Sequence, residues 1–325
     1  MSRYARAFET FELSHDGSTL RAATALAFTL ALCAAASLGV SLPILGQVVV
    51  FAVLTAVVGI PHGGLDHRFG RAVCRPRVGG WWPLAFFSAY LGVASLVLAG
   101  WVLAPLTTIA IFFVLSAIHF GDEGSWPLSV VEGGMVIWVP FLTRPRETTR
   151  LLVMVTPGHL SESITSAAYQ VRPLLWSLAL VSAGGVMRLV WVGVRDRDLR
   201  AVLKAFRLTA FAVLFAVSPV LLGFMTFFCG WHSTRELADL AVRVNPSRPW
   251  DGLLRVIRMS APLSALLIVA IGLAGWWRLA GGLPLESVVV QGVFLGLSAV
   301  AIPHILLHAI ADRLGVDPFA AEAGS

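Results

Sequence analysis

The chain has 325 residues, of which 57% are hydrophobic and 13% charged, and its formal net charge is +6. Soluble domains carry about 25% charged residues, so this composition argues against a soluble protein and indicates a protein of the lipid bilayer. The charge is scattered through loops with no basic patch among aromatic residues, which argues against nucleic-acid binding and fits membrane topology and contact with anionic lipids.

Along the chain, a polar segment of mixed charge, 1–21, precedes the apolar run 22–42, which is long enough to span and has no small-residue cleavage site close behind it. We therefore predict a retained helix and not a removed signal peptide. A span needs about 20 apolar residues. Further apolar stretches cover 44–61, 81–103, 105–120, 173–194, 206–230, 254–280 and 286–310, with a weaker one over 129–143.

The predicted fold is all-α: a polytopic integral membrane protein with about eight or nine transmembrane helices in one bundle. No soluble domain fits between the spans. We expect one transmembrane helical domain over 22–312, with 1–21 as a polar N-terminal segment and 313–325 as a short C-terminal tail. The protein is expected to be a multi-pass protein of the cell membrane. The three cysteines show no CxxC spacing, which argues against a disulfide framework or a zinc ribbon.

Four polar clusters interrupt the apolar stretches, and they contain most of the histidines. Their histidines are His62, His67, His119, His232, His304 and His308. An ionisable residue at membrane depth is a functional hypothesis by default, and several imidazoles brought together with carboxylates most simply make a metal site. A single histidine at a helix end is more often interfacial or hydrogen-bonded to another helix, and His15 and His159 fit that interpretation.

The spacing of His232 and Glu236 favours a shared ligand role. They are four residues apart in a stretch with few helix breakers. Residues at this spacing lie on one face of a helix with their Cβ atoms about 5–6 Å apart. An imidazole and a carboxylate placed in this way can bind one metal ion.

Two other clusters pair a histidine with a carboxylate that follows it. Asp122 lies three residues after His119, and Asp66 lies four residues after His62. A carboxylate near a ligating histidine can hold the second ring nitrogen and fix the tautomer. Pro61 is expected to break or kink the helix that carries His62.

At these residues the sequence resembles the Brp/Blh family of membrane-embedded bacterial and archaeal β-carotene 15,15′-dioxygenases. The resemblance extends from about residue 58 to residue 307. It rests on Gly59-Ile-Pro-His-Gly-Gly-Leu-Asp66, Ile118-His-Phe-Gly121, Phe227-Phe-Cys-Gly-Trp-His-Ser-Thr-Arg235 and Gly296-Leu-Ser-Ala-Val-Ala-Ile-Pro-His-Ile-Leu306. In this order and at this spacing the motifs are specific, whereas any one of them alone would be weak.

The resemblance implies a non-haem Fe(II) enzyme that cleaves β-carotene with O₂ at the central 15,15′ double bond into two molecules of all-trans-retinal. The iron ligands of the family are histidines, and three of them map onto His62, His119 and His232. The fourth position, four residues after the third histidine, normally reads His and is Glu236 here. A glutamate can also ligate Fe(II). His304 is the second candidate for the fourth ligand, and Asp66 and Asp122 are candidates to support the ligands.

The residue inventory agrees with that chemistry. Adding both atoms of O₂ across a C=C bond requires no net electrons, and the sequence contains no flavin or nicotinamide motif. An extended C₄₀ carotenoid is about as long as the hydrocarbon core is thick, roughly 30 Å, so the substrate can enter sideways from the membrane. The expected partners are β-carotene, O₂ and the lipid bilayer, with a functional link to a retinal-binding rhodopsin and no nucleic acid.

Three other functions compete with this one. The chain could be a non-catalytic protein that binds or delivers a carotenoid or retinal, with Glu236 marking a lost catalytic site. It could be another membrane iron oxygenase, of the hydroxylase or desaturase kind, because His304 and His308 have the HxxxH spacing of that class. It could be a transporter, since intramembrane histidines and acids can relay protons and the motif around Pro61 has an echo around Pro303.

Overall fold

The structure is a computed structural model, and it describes residues 30–31, 34, 37, 42–121 and 128–319. The regular structure within these residues is helical, without strands. The helices are α1 (Ile44–Leu54), α2 (Ile60–Gly63), α3 (Asp66–Val78), α4 (Trp82–Leu103), α5 (Pro105–His119), α6 (Leu128–Thr143), α7 (Pro145–Val155), α8 (Ser161–Gln170), α9 (Arg172–Arg195), α10 (Leu199–Val217), α11 (Val220–Met225), α12 (Thr234–Val244), α13 (Pro249–Ala280) and α14 (Leu285–Leu314).

Two π-helical segments interrupt this series of helices. The first, Thr55–Gly59, lies between α1 and α2, and the second, Thr226–Ser233, lies between α11 and α12. A π-helix closes its hydrogen bonds over five residues, is rare, and frequently occurs at functional sites. Each of these segments contains or directly precedes a histidine of the predicted metal site.

Four helical segments are long and apolar enough to cross a membrane. They are Ile44–Leu103, Arg172–Arg195, Pro249–Ala280 and Leu285–Leu314, and Pro105–His119 is a shorter apolar helix. The all-α prediction is confirmed for the described residues. The predicted span 22–42 falls almost entirely outside them, and the count of eight or nine spans stays a prediction.

The apolar stretch 206–230 does not form the single helix that its composition predicts. Helix α10 ends at Val217, and α11 begins at Val220 after an extended Pro219 (φ −51°, ψ 141°). Proline has no N–H to continue the helical ladder, and its ring clashes with the preceding turn. The carboxylate of Glu147 compensates by accepting a hydrogen bond of 2.9 Å from the backbone N–H of Val220.

Large apolar side chains cover the outward faces of the long helices. On α9, Leu180 is 71% and Trp191 66% exposed, and on α13 Trp276 is 70% exposed. Soluble monomers rarely expose contiguous apolar patches of this extent. These faces are therefore suited to contact with lipid tails.

The described residues divide into two compact units. The first unit contains Val49–Leu96 and the chain from Phe228 onward, and the second contains Val97–Phe227 with the residues just before Val49. The core of the first unit consists of Leu65, Phe69, Phe86, Leu237, Leu240, Val244, Val256, Leu307, Ala311 and Phe319. The core of the second consists of Met135, Trp138, Phe141, Leu175 and Leu208.

The second unit also buries an ion pair. Lys204 on α10, the only lysine of the chain, places Nζ 2.9 Å from Oε2 of Glu132 on α6, and the glutamate side chain is only 5% exposed. In apolar surroundings each of these charges needs such a partner. The pair therefore fixes one contact between α6 and α10.

The close packing of α12 on α13 depends on Gly252. A Cβ atom added there would lie 2.1 Å from the backbone carbonyl oxygen of Ala241. We expect Gly252→Ala to destabilise the fold by about 1–3 kcal/mol, as overpacking does, even though alanine is the better helix former. The measurement is thermal unfolding of the protein in detergent micelles.

The matched control for that change lies on the same helix. A Cβ added at Gly272 of α13 would meet nothing within 4 Å. Gly272→Ala should therefore leave the unfolding temperature unchanged or raise it slightly. An equal loss of stability in both variants would contradict a specific contact at Gly252.

Candidate metal centre

The first π segment, Thr55–Gly59, directly precedes the short helix α2, which carries His62. Pro61 has no N–H and would remove a hydrogen bond from an uninterrupted α-helix. In the structure it lies at the start of α2, directly after the π segment, where the missing N–H is tolerated. The helical path thus changes its hydrogen-bonding pattern at the predicted position, and α2 ends one residue beyond His62, at Gly63.

The second π segment, Thr226–Ser233, carries His232 and packs on the first. A Cβ atom added at Gly59 would lie 2.8 Å from Cε1 of Phe228, so the absence of a side chain at Gly59 lets the phenyl ring approach the backbone. Oγ1 of Thr55 lies 3.9 Å from Sγ of Cys229. The ring centroids of His62 and His232 are consequently 5.5 Å apart, with their planes at 88°.

A third imidazole reaches the same place from α14. The ring of His304 lies 5.7 Å from that of His62, again at 88°, and His304 is only 7% exposed. Gly64 helps to seal the site from the side of α13, because a Cβ there would lie 2.5 Å from Cβ of Ser260. The rings of His232 and His304, from two other chain segments, therefore both lie within 6 Å of the ring of His62.

Asp66, at the start of α3, holds His304 and its neighbour. Its Oδ1 lies 2.8 Å from Nδ1 of His304 and 3.4 Å from Nε2 of His308. Its other oxygen, Oδ2, accepts a hydrogen bond of 2.8 Å from the hydroxyl of Tyr90 on α4. Asp66 is 5% exposed. Its hydrogen bonds to these groups therefore take the place of the hydrogen bonds to water that burial removes.

The contact with Asp66 determines which ring nitrogen of His304 can bind a metal. A carboxylate that accepts from Nδ1–H leaves Nε2 of the neutral ring without a proton, and this nitrogen is then the one that can bind a metal. The ligand atoms of Asp66, His304 and His308 also lie within 4.8 Å of one another, a spacing at which the three could hold an ion themselves.

The arrangement fits a transition metal. Nδ1 of His62 is buried and makes no hydrogen bond of good geometry with any described residue. Buried polar atoms normally have a partner, so this nitrogen is suited to an additional ligand. Imidazole nitrogens suit iron, zinc, copper and nickel, and a supporting carboxylate is already present at His304.

Comparison with known proteins agrees with this constellation. A family model described as β-carotene 15,15′-dioxygenase matches residues 53–312. The chain belongs to the β-carotene 15,15′-dioxygenase family. The match includes all four histidine clusters and most of the described residues of each unit.

Two named relatives are similar to the chain over most of their length. One is the β-carotene 15,15′-dioxygenase of uncultured marine bacterium 66A03, which is 24% identical over 280 residues, covering 78% of this chain and 90% of the relative. The other is the probable β-carotene 15,15′-dioxygenase Blh of Halobacterium salinarum, 26% identical over 312 residues, covering 85% of this chain and 87% of the relative. No solved structure is significantly similar to the chain.

The remaining predicted site residues lie at the following places in this family member. Glu236 is half-buried in the first turn of α12 and interacts electrostatically with His304. His119 is the last residue of α5, in the second unit, with its ring 5.6 Å from that of Phe120. Asp122 lies outside the described residues. The ligand roles of His119 and Glu236 stay predictions.

Tyr90 was not predicted as a site residue, His308 was considered only for the competing HxxxH class of oxygenase, and Asp66 was paired with His62 by spacing. Both Tyr90 and His308 contact Asp66 in the structure. A signal for the tyrosine was present, because a tyrosine in an apolar span needs a hydrogen-bond partner for its hydroxyl. For His308 the signal was its spacing of four residues from His304, which places both rings on one helix face.

Proposed function

We propose that this chain is a membrane-embedded non-haem iron dioxygenase that cleaves β-carotene with O₂ at its central 15,15′ double bond, giving two molecules of all-trans-retinal. The observation that carries the proposal is the convergence of His62, His232 and His304 in a member of the β-carotene 15,15′-dioxygenase family. The names of two relatives support the same substrate and the same bond.

The proposed ligands rest on two kinds of support. For His62, His232 and His304 it is the approach of the latter two rings to that of His62 within the first unit. For His119 and Glu236 it is their position in the motifs that resemble the family. Glu236 adds a negative charge near His304, and a mixed set of histidine and carboxylate ligands is common in oxygen-activating iron proteins.

The overall reaction needs nothing beyond the two substrates. The C=C bond is broken, two aldehyde C=O bonds form, and both oxygen atoms come from O₂, so no reductant is consumed. When bound, Fe(II) supplies the activation of O₂, which the side chains of the protein cannot provide. The contribution of the chain is to bind the metal and the substrates, to orient them and to shield them from water.

The residues around the imidazoles perform these tasks. Asp66 holds the proton on Nδ1 of His304 and fixes the orientation of that ring. The ring of Phe228 stacks on His232 at 6.0 Å and meets His62 edge-on at the same distance. This apolar wall keeps water from one side of the two rings, which protects reactive chemistry from side reactions.

The lipid-facing helices explain how such a substrate reaches the site. A C₄₀ hydrocarbon dissolves in the bilayer and not in water, and the exposed faces of α9 and α13 are apolar. We propose that β-carotene enters laterally from the membrane. Retinal, which is also lipid-soluble, can leave by the same medium toward a retinal-binding partner.

The test is pigment analysis in cells that produce β-carotene and express this chain. We expect retinal with the intact chain and none with His119→Ala, although both proteins accumulate in the membrane. Apocarotenals of another length would show that the enzyme cleaves a different double bond. Unchanged β-carotene with a folded, iron-loaded protein would instead support a binding or delivery role.

The metal is tested on the purified protein. Removal of metal with a chelator should abolish retinal formation, and Fe(II) should restore it while Zn(II) should not. One iron per chain is expected. Two irons per chain would favour another class of membrane iron oxygenase and would contradict the proposed site.

A further inference from the structure

We infer that Tyr90 is a positioning residue of the metal centre: its hydroxyl fixes the Asp66 carboxylate and, through it, the ring of His304. The inference rests on the proposed function. Tyr90 lies on α4, and its hydroxyl lies 2.8 Å from Oδ2 of Asp66, the oxygen that the histidines do not contact. The carboxylate is thereby held at both oxygens, one by a phenol and one by imidazoles.

The same hydroxyl also touches the backbone of α14. It lies 3.2 Å from the carbonyl oxygen of Val300. A phenol has a single O–H proton, so the shorter contact to Asp66 takes it, or the two acceptors share it. In either case Tyr90 lies between the carboxylate on α3 and the helix that carries His304.

The contact with Val300 lies where α14 is weakened. Pro303 is inside this helix and offers no N–H to the preceding turn. The carbonyl that this leaves without its helical donor is that of Ala299, four residues before Pro303, and Val300 is the residue next to it. His304 is the next residue after Pro303, so the backbone that Tyr90 contacts is the backbone that sets the position of this ring.

Asp66 requires such a restraint because two histidines compete for one of its oxygens. His304 approaches Oδ1 at 2.8 Å and His308 at 3.4 Å, and the two rings are 4.3 Å apart. A carboxylate that is free to rotate could turn its second oxygen toward His308 and release His304. The hydroxyl of Tyr90 occupies that second oxygen and keeps Oδ1 on His304.

The three groups Asp66, His304 and His308 could alternatively bind an ion of their own. Their ligand atoms already have hydrogen-bond partners in one another, whereas Nδ1 of His62 has none of good geometry. His62 also has two further imidazoles, His232 and His304, beside its ring. The geometry therefore favours metal binding beside His62, with Asp66 supporting His304.

The test is Tyr90→Phe in the full-length protein in lipid nanodiscs. The variant removes only the hydroxyl and keeps the ring, which packs 5.5 Å from that of Phe86. We expect Fe(II) affinity, measured anaerobically by competition with a chelator, to fall by about 10- to 100-fold, as for other changes behind metal ligands. Excess Fe(II) should restore retinal formation in this variant.

The matched control is Tyr169→Phe, which removes the same hydroxyl from an exposed tyrosine on α8 and should leave the affinity within about twofold of wild type. Thermal unfolding of the metal-free proteins is recorded in parallel. If Tyr90→Phe lowers the unfolding temperature but leaves Fe(II) affinity unchanged, Tyr90 is only a structural residue and the inference is wrong.

Two further outcomes separate this inference from the proposed function. If the wild-type protein binds no Fe(II), the proposed function fails first, and the positioning role fails with it. If it binds two ions and His308→Ala removes one of them, Asp66, His304 and His308 hold their own ion and the role assigned to Tyr90 is overturned.

Discussion

Replacing His62 by alanine is expected to abolish retinal formation and to weaken Fe(II) binding by more than about 100-fold, the upper range for changes to groups that merely support ligands. We expect this large effect because the ring of His62 lies within 6 Å of the rings of both His232 and His304. The measurement combines pigment analysis with the iron content of the purified variant.

A histidine away from the centre provides the control for this variant. His159 is exposed in the short turn Gly158–Leu160, so His159→Ala should keep both activity and iron content. The metal-free His62→Ala protein should unfold at nearly the wild-type temperature, since its half-buried ring leaves only a small cavity. Retinal production by His62→Ala with normal iron content would remove His62 from the site.

The second large effect is expected from Asp66→Asn. Asparagine replaces one acceptor oxygen by an NH₂ group, so it cannot accept hydrogen bonds at both positions from Tyr90 and the histidines. An unsatisfied buried donor costs about 1–3 kcal/mol. We expect the metal-free protein to lose stability of this order and Fe(II) affinity to fall about 10- to 100-fold.

Asp196→Asn is a suitable comparison, because Asp196 is exposed and its ion pair with Arg195 lies at the surface, where such pairs contribute little. This variant should match the wild-type protein in unfolding temperature and in iron affinity. If Asp66→Asn were as stable and as tightly iron-binding as Asp196→Asn, the carboxylate would have no role in holding His304.

The sequence allowed the helical class and the histidine clusters to be predicted, because apolar runs and isolated polar residues within them are local signals. It did not reveal the partner of Asp66. The spacing of four residues pointed to His62, but α2 ends at Gly63 and α3 begins at Asp66, so the two residues do not share a regular helix. The observed partner, His304, is 238 residues away along the chain, and no local pattern encodes that distance.

The break at Pro219 and the two π segments were also beyond prediction from composition. Residues 206–230 are mainly apolar, and Pro219 is the local signal for the end of α10. A π segment has no reliable sequence signature, because it differs from an α-helix by one residue in its hydrogen bonding. It depends on the contacts around it, such as the approach of Phe228 to Gly59.

The π segments Thr55–Gly59 and Thr226–Ser233 also introduce a phase shift within their helical paths. One residue corresponds to about 100° of rotation in an α-helix, so an extra residue in a turn rotates everything that follows relative to everything before. The half of each path that precedes the π segment and the half that carries the histidine can therefore face different surroundings. The side chains before each π segment and the histidine after it are thus directed independently along one helical path, and a one-residue deletion in either segment would remove this offset.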